Sequence, residues 1–154
     1  MDKLIFITFL LSSCTGISTP GPEKEKNEIL QLEAKQREYH FTKNAKAFTD
    51  MFSEDFLSIN KGAINEPSRK NSYEIFDEYF KSTEFLKWDD NKAPVIRFSN
   101  DGSVAYVAVD KVVIVKMLNG TRKGIMDTTN FAWLTVYKKY ENEWKIDCVT
   151  STNK

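Results

Sequence analysis

The order of two periodicities constrains the fold most: helical patterns occur mainly before about residue 81, and strand patterns dominate after it. Asn100-Asp101-Gly102 and Leu118-Asn119-Gly120 are tight-turn signals between β-rich runs. Strands joined by short hairpins pair antiparallel, and helices that come first pack on a face of the resulting sheet. The sequence therefore predicts an α+β domain built on an antiparallel sheet.

Two stretches have helical periodicity, residues 26–52 and a shorter one that starts at Ser68 or Asn71 and ends near Lys81. Apolar residues of the first share one helix face and predict a core-facing stripe made of Leu30, Ala34, Phe41, Ala45, Phe48 and Phe52. The second stretch predicts an aromatic face made of Tyr73, Phe76, Tyr79 and Phe80.

Strand patterns cover residues 55–60, 84–89, 94–99, 103–117, 125–138 and 144–152. Side chains alternate across a strand, so Tyr106, Ala108 and Asp110 share one face of the long run that ends at Met117. Neither face of the sheet is uniformly polar, and a sheet with two partly apolar faces needs two covers. The helices supply one cover. A second copy of the chain is the simplest other cover, so we expect a homodimer formed through the sheet.

The N-terminus predicts export and lipid attachment. Lys3 precedes a short apolar run, Leu4 to Leu11, which is too short to cross a bilayer because a spanning helix needs about 20 apolar residues. Leu11-Ser12-Ser13-Cys14 resembles the bacterial lipobox, in which the Cys receives the lipid. An ordinary signal peptide with a chance Cys is the alternative.

This pattern divides the chain into three segments: a signal peptide at residues 1–13, lipidated Cys14 with a flexible tether at 14–25, and a folded domain at 26–154. We expect a membrane-anchored lipoprotein, periplasmic or on the cell surface, with the membrane leaflet left open.

Composition argues against several classes of function. The 22 basic and 22 acidic residues balance, so no overall field attracts nucleic acid. One His and two Cys make a zinc site of these ligands nearly impossible, and we expect no metal and no cofactor. If Cys14 is lipidated, Cys148 has no partner for a disulfide and is expected to be a small core residue. Motifs for phosphate loops or nucleophile elbows are absent from the sequence.

A series of motifs resembles the nuclear transport factor 2-like superfamily, most closely its SnoaL-like and ketosteroid-isomerase-like branches. The series is a long helix, Asp55-Phe56, a helix with Tyr79-Phe80, the hairpin from Phe98 to Val107, Trp133 to Tyr137, and Glu143-Trp144-Lys145-Ile146. The resemblance implies a curved antiparallel sheet wrapped by N-terminal helices into a cone, a pocket inside the cone, and a dimer formed through the sheet.

The resemblance also implies which residues line the pocket. The strand positions that would point inward are Tyr106, Asp110, Trp133, Thr135 and Ser151, and the residues expected at the mouth are Trp88, His40 and Tyr73. From the residues alone, a face that mixes aromatic, small and acidic side chains is typical of a pocket lining, although Asp110 and Thr135 near a sheet end in water would look the same.

Three functions remain open. The first is a non-catalytic domain in which Trp133, Trp88 and Tyr106 enclose a small apolar or aromatic ligand that Asp110 or Thr135 orients. The second is an acid/base enzyme, of isomerase or hydrolase type, that uses Asp110 or His40. The third is a structural or interaction module of the cell envelope with a filled cone. Because the superfamily hosts enzymes and binding modules alike, the depth and polarity of the cavity have to discriminate between them.

Overall fold

A computed structural model describes residues 22–153. The predicted signal peptide, Cys14 and most of the predicted tether lie outside the described residues. Among the residues described, no helix combines the length and the apolar character needed to cross a membrane.

Two helices replace the single helix predicted at 26–52: α1 spans Pro22–Phe41 and α2 spans Ala45–Thr49. Lys43 between them adopts a left-handed conformation with φ of 56°, which ends α1. The side chain of Asn44 then caps α2 by accepting from the Ala47 N–H at 3.0 Å. Pro22 opens α1, a position that tolerates proline, so the last residues of the predicted tether are helical.

The buried stripe of α1 differs from the predicted one. Its buried residues are Glu25, Ile29, Gln36 and His40, whereas Leu30 is 38% exposed. Sequence reasoning chose the apolar stripe because polar side chains are rarely buried without partners. Here Glu25 and Gln36 have hydrogen-bond partners on the sheet, and those partners set the rotation of the helix.

The helix α3 spans Arg69–Ser82. Ser68, not Asn71, is its N-cap, because the Ser68 hydroxyl accepts from the Asn71 N–H at 3.2 Å. Phe80 on this helix is 1% exposed and belongs to the core, whereas Tyr73 is 40% exposed.

Seven strands form one curved sheet with the order β2-β1-β7-β6-β5-β3, and β4 pairs with β5. The strands are β1 (Phe52–Asn60), β2 (Ala63–Asn65), β3 (Thr83–Asp90), β4 (Val95–Phe98), β5 (Val104–Met117), β6 (Met126–Tyr140) and β7 (Glu143–Asn153). The α+β class and the N-terminal helices are confirmed. The sheet is mixed rather than wholly antiparallel, because β1 pairs parallel with β7. No hairpin joins these two strands, so no local signal predicted their direction.

One face of the sheet packs against the helices. On β5 the buried side chains on this inner face include Ala105, Val107 and Val109. The antiparallel register pairs Val107 with Thr135 and Val109 with Trp133 on β6, so these inner-face residues lie side by side. Tyr106, Ala108 and Asp110 alternate with them and therefore lie on the outer face.

Two β-bulges reverse the alternation of side chains. In β3 the register jumps between Phe85 and Lys87, which makes Leu86 the extra residue and brings Trp88 to the same side as Phe85. In β7 the register with β6 jumps around Asp147, so that both Ile146 and Val149 face inward. The Asp147 carboxylate accepts hydrogen bonds from Ser53 at 3.0 Å and Tyr140 at 2.8 Å, which hold the second bulge. Cys148 is half-buried on the outer face, not a core residue as predicted.

Candidate ligand-binding cavity

A cavity of about 920 Å³ lies between the inner face of the sheet and the helices. Its walls are mainly aromatic: Phe48, Phe52, Phe56, Phe76, Trp88, Phe131 and Trp133 line it. Uncharged polar side chains also line it: Gln36, His40, Ser58, Thr135 and Ser151, together with Asn60, Asn65, Asn71 and Ser72 from β1, β2 and α3. Glu66 is the one acidic side chain among the described lining residues, and it is exposed, in the loop between β2 and α3.

His40 is held in one orientation and one tautomer. Its Nδ1 lies 2.7 Å from the backbone carbonyl oxygen of Gln36. A carbonyl can only accept, so Nδ1 donates and the neutral ring has its lone pair on Nε2. Burial lowers the pKa of His40 from 6.5 to about 4, so the ring is neutral at physiological pH.

Aromatic rings surround the imidazole and account for its burial. The ring centroids of Phe48, Phe80, Phe85 and Trp88 lie 4.7, 4.9, 5.1 and 4.2 Å from that of His40. Such a surround disfavours the imidazolium form because it offers no counter-ion and little solvation.

Thr135 has an unusual environment on the opposite wall. The residue is 1% exposed, and its Oγ1 has no hydrogen-bond partner among the described residues. A buried hydroxyl without a partner costs about 1–3 kcal/mol, and native structures contain few of them. Because the oxygen atom is itself buried, a molecule in the cavity does not reach it in this conformation.

A second polar network lies beside the cavity. Tyr137 OH donates to Glu33 Oε1 at 2.8 Å, and Gln36 Nε2 donates to Tyr137 OH at 2.6 Å and to Glu33 Oε1 at 3.1 Å. Burial raises the pKa values of both Glu33 and Tyr137. Gln36 also lines the cavity and so connects its wall to this network.

Buried charge is kept away from the cavity. Lys111 is 6% exposed and pairs with Asp90 in a separate cleft of about 380 Å³ that Glu33 and Arg37 also line. Trp88 lines both spaces and separates them. Apart from the exposed Glu66, the larger cavity therefore presents apolar surface and neutral polar groups to a molecule that enters it.

Five of the eight predicted site residues line the cavity: His40, Trp88, Trp133, Thr135 and Ser151. The remaining three, Tyr106, Asp110 and Tyr73, are not among its lining residues. Tyr106 is 41% exposed on the outer face of β5. Tyr73 lies on the exposed side of α3, although its neighbour Ser72 lines the cavity.

The prediction of Asp110 as a pocket carboxylate is wrong. Its side chain accepts from Asn91 Nδ2 at 3.0 Å and pairs with Lys92 Nζ at 2.9 Å, on the outer face. The hydrogen bonds from Asn91 and Lys92 lower the pKa of Asp110. The inward position was taken from the family resemblance, because alternation defines two faces of a strand but does not say which of them is inside.

Some lining residues escaped the sequence analysis. Gln36 lies four residues before His40, a spacing that places both on one helix face. Ser58 follows Phe56 by two residues in β1 and therefore shares its face. Both spacings can be read in the sequence, but a stripe defined by apolar residues alone leaves out the polar residues of the same face.

Within residues 22–153 no group of three or more His, Cys, Asp or Glu side chains is placed to hold a metal ion.

The chain matches no known protein-family model and no curated protein. Solved structures are similar to it in fold. A nuclear transport factor 2-like protein from Cytophaga hutchinsonii is 16% identical, with a TM-score of 0.66 over 84% of this chain and 98% of that one. A nuclear transport factor 2-like protein with a cystatin-like fold from Novosphingobium aromaticivorans is 14% identical, with a TM-score of 0.62 over 84% and 81% of the two chains.

An enzyme also has this architecture. A type 2 hexachlorocyclohexane dehydrochlorinase is 9% identical, with a TM-score of 0.68 over 86% of each chain. At such identities the likeness concerns the fold and not the reaction. Together with the curved sheet, the helices packed on its inner face and the cavity between them, these likenesses show that the chain has the nuclear transport factor 2-like fold.

Proposed function

We propose that the folded domain binds a small molecule and is not catalytic, with the ligand held in the aromatic cavity. The size and lining of the cavity carry the proposal. Ligand pockets have volumes of about 300–1,000 Å³ and combine mostly apolar walls with a few orienting polar groups. The cavity of about 920 Å³ fits that description, and an open cavity of this size argues against a filled structural module.

The wall chemistry favours an apolar or aromatic ligand. Trp88 and Trp133 stand with their ring centroids 5.5 Å apart and their planes at 62°, which forms a corner of flat apolar surface. Rings bind such surfaces through stacked and edge-on contacts. His40 supplies the polar group that orients the ligand in this proposal, in place of Asp110.

A neutral dye tests the cavity. N-phenyl-1-naphthylamine becomes fluorescent in apolar surroundings, and we expect it to bind the full chain. Ser151→Trp places a large ring inside the cavity and is expected to reduce dye affinity at least tenfold. Thr152→Trp is the matched control, because the adjacent side chain is exposed and is not part of the lining. Equal dye binding by both variants, or no dye binding by the parent chain, would refute the proposal.

An acid/base enzyme is the second candidate, and the unprotonated Nε2 of His40 is the observation that favours it. The hexachlorocyclohexane dehydrochlorinase is a precedent for an enzyme with this fold. A pKa of about 4 makes this ring a weak base, which is why binding is preferred. Liquid chromatography with mass spectrometry of a ligand extracted from the purified protein, before and after renewed incubation with it, separates the two candidates. A changed mass indicates a hydrolase, and a changed retention time at the same mass indicates an isomerase.

For the N-terminus we propose the lipoprotein arrangement expected from the sequence, with Cys14 acylated and the domain held outside the cytoplasm on its tether. Acyl chains contribute about 0.8 kcal/mol per buried methylene, so a multiply acylated Cys would retain the domain at the membrane. Cys14→Ser is expected to remove the acyl mass and release the protein from the membrane fraction. A variant that keeps the acyl mass and stays in the membrane fraction would contradict the arrangement.

We also propose a homodimer formed through the outer face of the sheet. Tyr106 and Val136 are cross-strand partners on that face, and Tyr106 is 41% exposed. Leu134 and Ala108 form the next pair along the same two strands. This apolar strip supports a second copy as its cover.

A further inference from the structure

Charged side chains are nearly absent from the walls of the cavity, even where those walls are exposed. Asn65, Glu66, Asn71 and Ile75 line the cavity and are exposed, and we call them its rim. Charged residues make up 29% of the chain, yet Glu66 is the one charged residue among the described side chains that line the cavity. Exposed positions commonly carry Lys, Glu, Arg or Asp. The uncharged walls favour an uncharged ligand, because an ion would lose hydration there without gaining a partner.

Hydrogen-bonding side chains of the sheet are grouped at one end of the cavity wall. Along β1 the lining residues change from Phe52 and Phe56, which are 3% and 7% exposed, to Ser58 and Asn60, which are half-buried. Asn60 Nδ2 donates to Ser58 Oγ at 2.8 Å, and Asn65 Nδ2 donates to the Ser58 carbonyl oxygen at 3.2 Å. We call Ser58, Asn60 and Asn65 the amide cluster.

The amide cluster keeps groups that can bind a ligand. Within residues 22–153 the Oδ1 atoms of Asn60 and Asn65 accept no hydrogen bond, and the Ser58 hydroxyl accepts one but donates none. Each amide also has a second N–H. Groups that both donate and accept complement hydroxyl groups, which do the same, better than a carboxylate, which only accepts, or an ammonium, which only donates.

The strand register places the amide cluster at a ligand's length from the tryptophan corner. Ser58 is the partner of Val149 on β7, and Trp133 on β6 is the partner of Ser151, two residues after Val149. Adjacent strands lie about 4.8 Å apart, so β1 and β6 are separated by about 10 Å. A molecule with a flat ring against Trp133 can therefore extend a polar end past Ser151 to the cluster.

From these observations, and resting on the proposed binding function, we propose that the ligand is an uncharged amphipathic molecule with an apolar ring at one end and several hydroxyl groups at the other. The ring packs against Trp88 and Trp133. The hydroxyl groups exchange hydrogen bonds with the amide cluster. A glycoside of an aromatic alcohol is a simple molecule of this class, since a bicyclic ring followed by one sugar ring spans the distance between β6 and β1.

Three naphthyl probes test this class by isothermal titration of the full chain. 2-Naphthyl β-D-glucopyranoside carries the ring and a neutral sugar, 2-methoxynaphthalene has a methyl group in place of the sugar, and 2-naphthyl β-D-glucuronide has a carboxylate in place of one CH2OH group. We expect the glucoside to bind about tenfold more tightly than 2-methoxynaphthalene, which corresponds to one net hydrogen bond. The glucuronide is expected to bind more weakly than the glucoside, because its carboxylate meets Glu66 and no cation among the described lining residues. Equal affinity for the glucoside and 2-methoxynaphthalene, or a preference for the glucuronide, overturns the proposal.

A double variant assigns the hydroxyl contacts to the amide cluster. Asn60→Leu with Asn65→Leu keeps the size of both side chains and is expected to abolish the preference for the glucoside. Its affinity for 2-methoxynaphthalene is expected to stay unchanged, which also shows that the variant is folded. Asn130→Leu, at an exposed position of β6 outside the cavity lining, is the control and is expected to keep the preference.

Ser58→Ala is a milder variant that removes one hydroxyl. We expect it to lower the affinity for the glucoside about threefold and to leave that for 2-methoxynaphthalene unchanged, because a single neutral hydrogen bond is lost. A glucoside preference that survives in full in the double variant and in Ser58→Ala overturns the role of the amide cluster.

The dye experiment separates this proposal from the function on which it rests. If N-phenyl-1-naphthylamine binds and the glucoside is not preferred to 2-methoxynaphthalene, the cavity binds ligands but does not select hydroxyl groups. If the dye and all three naphthyl probes fail to bind, the binding function itself is wrong.

Discussion

At the scale of single residues, His40 shows how the environment determines chemistry. The same imidazole in water would be partly protonated near neutral pH. Within its four aromatic neighbours it stays neutral, and the bond to Gln36 O selects which nitrogen carries the proton. The sequence identified His40 as a possible base or mouth residue, but its tautomer depends on these contacts.

The low pKa of His40 predicts a pH dependence of stability. The pKa of His40 is 6.5 in the unfolded chain and about 4 in the folded protein, so between these pH values the unfolded chain binds more protons. Stability is therefore lost as pH falls from about 6.5 towards 4, with a contribution of about 3 kcal/mol at full effect. Urea unfolding at pH 7 and pH 4.5 measures the loss.

The control is His40→Phe, which has no titrating ring at this position. We expect the variant to lose about 2–3 kcal/mol less than the parent chain between the two pH values. Carboxylates such as Glu25 titrate in both proteins and cancel in this comparison. Identical losses in parent and variant would show that His40 does not carry the effect.

At the scale of elements, the placement of α1 depends on a buried ion pair near its first turn. Glu25 accepts from Lys139 Nζ at 2.7 Å and from Trp144 Nε1 at 2.7 Å. Burial alone would raise the pKa of Glu25, but the hydrogen bonds and charge of Lys139 and the Trp144 indole lower it overall. These contacts orient the helix so that Gln36 and His40 face the sheet.

Glu25→Gln tests this anchor. Removing one member of a buried pair leaves the other uncompensated, and we expect a loss of about 3 kcal/mol in the free energy of unfolding. Glu28→Gln on the same helix is the control: its side chain is 37% exposed and lies 3.7 Å from Lys24, and we expect a change below about 0.5 kcal/mol. Urea unfolding at pH 7 compares them, and similar losses in both would contradict the anchoring role.

At the scale of the whole molecule, the two faces of the sheet differ in what they contact. The inner face and the helices line the cavity, and the outer face carries the apolar strip around Tyr106 and Val136. A stable dimer buries about 800 Å² on each subunit, an area that a sheet face can supply.

The double variant Tyr106→Lys with Val136→Lys tests the dimer. We expect the parent chain to sediment as a dimer and the variant as a monomer, because unpaired ammonium groups are costly to bury in an interface. Tyr73→Lys, an equally exposed position on α3, is the control and is expected to remain dimeric. Dye binding in the double variant should persist, since neither residue lines the cavity. A monomeric parent chain would exclude the dimer.

The sequence by itself determined the features that depend on neighbouring residues. Turn signals such as Asn100-Asp101-Gly102 located the hairpin between β4 and β5, and Ser68 was recognised as one of two possible caps of α3. Period-two alternation also places Trp133 and Thr135 on one face of β6, as in the structure, because β6 has no bulge between them. These signals are local, so a short window contains all the physics that they need.

Only the tertiary structure decided which face is inside and which residues meet there. The extra residue Leu86 in β3 places Trp88 on the same face as Phe85, and Trp88 lines the cavity. The extra residue Asp147 in β7 places Ser151 on the same face as Ile146, and both line the cavity. The outward position of Asp110 and the parallel pairing of β1 with β7 depend on partners far away in sequence. A single-residue shift moves a side chain to the opposite face at little local cost, so packing across the whole sheet determines the result.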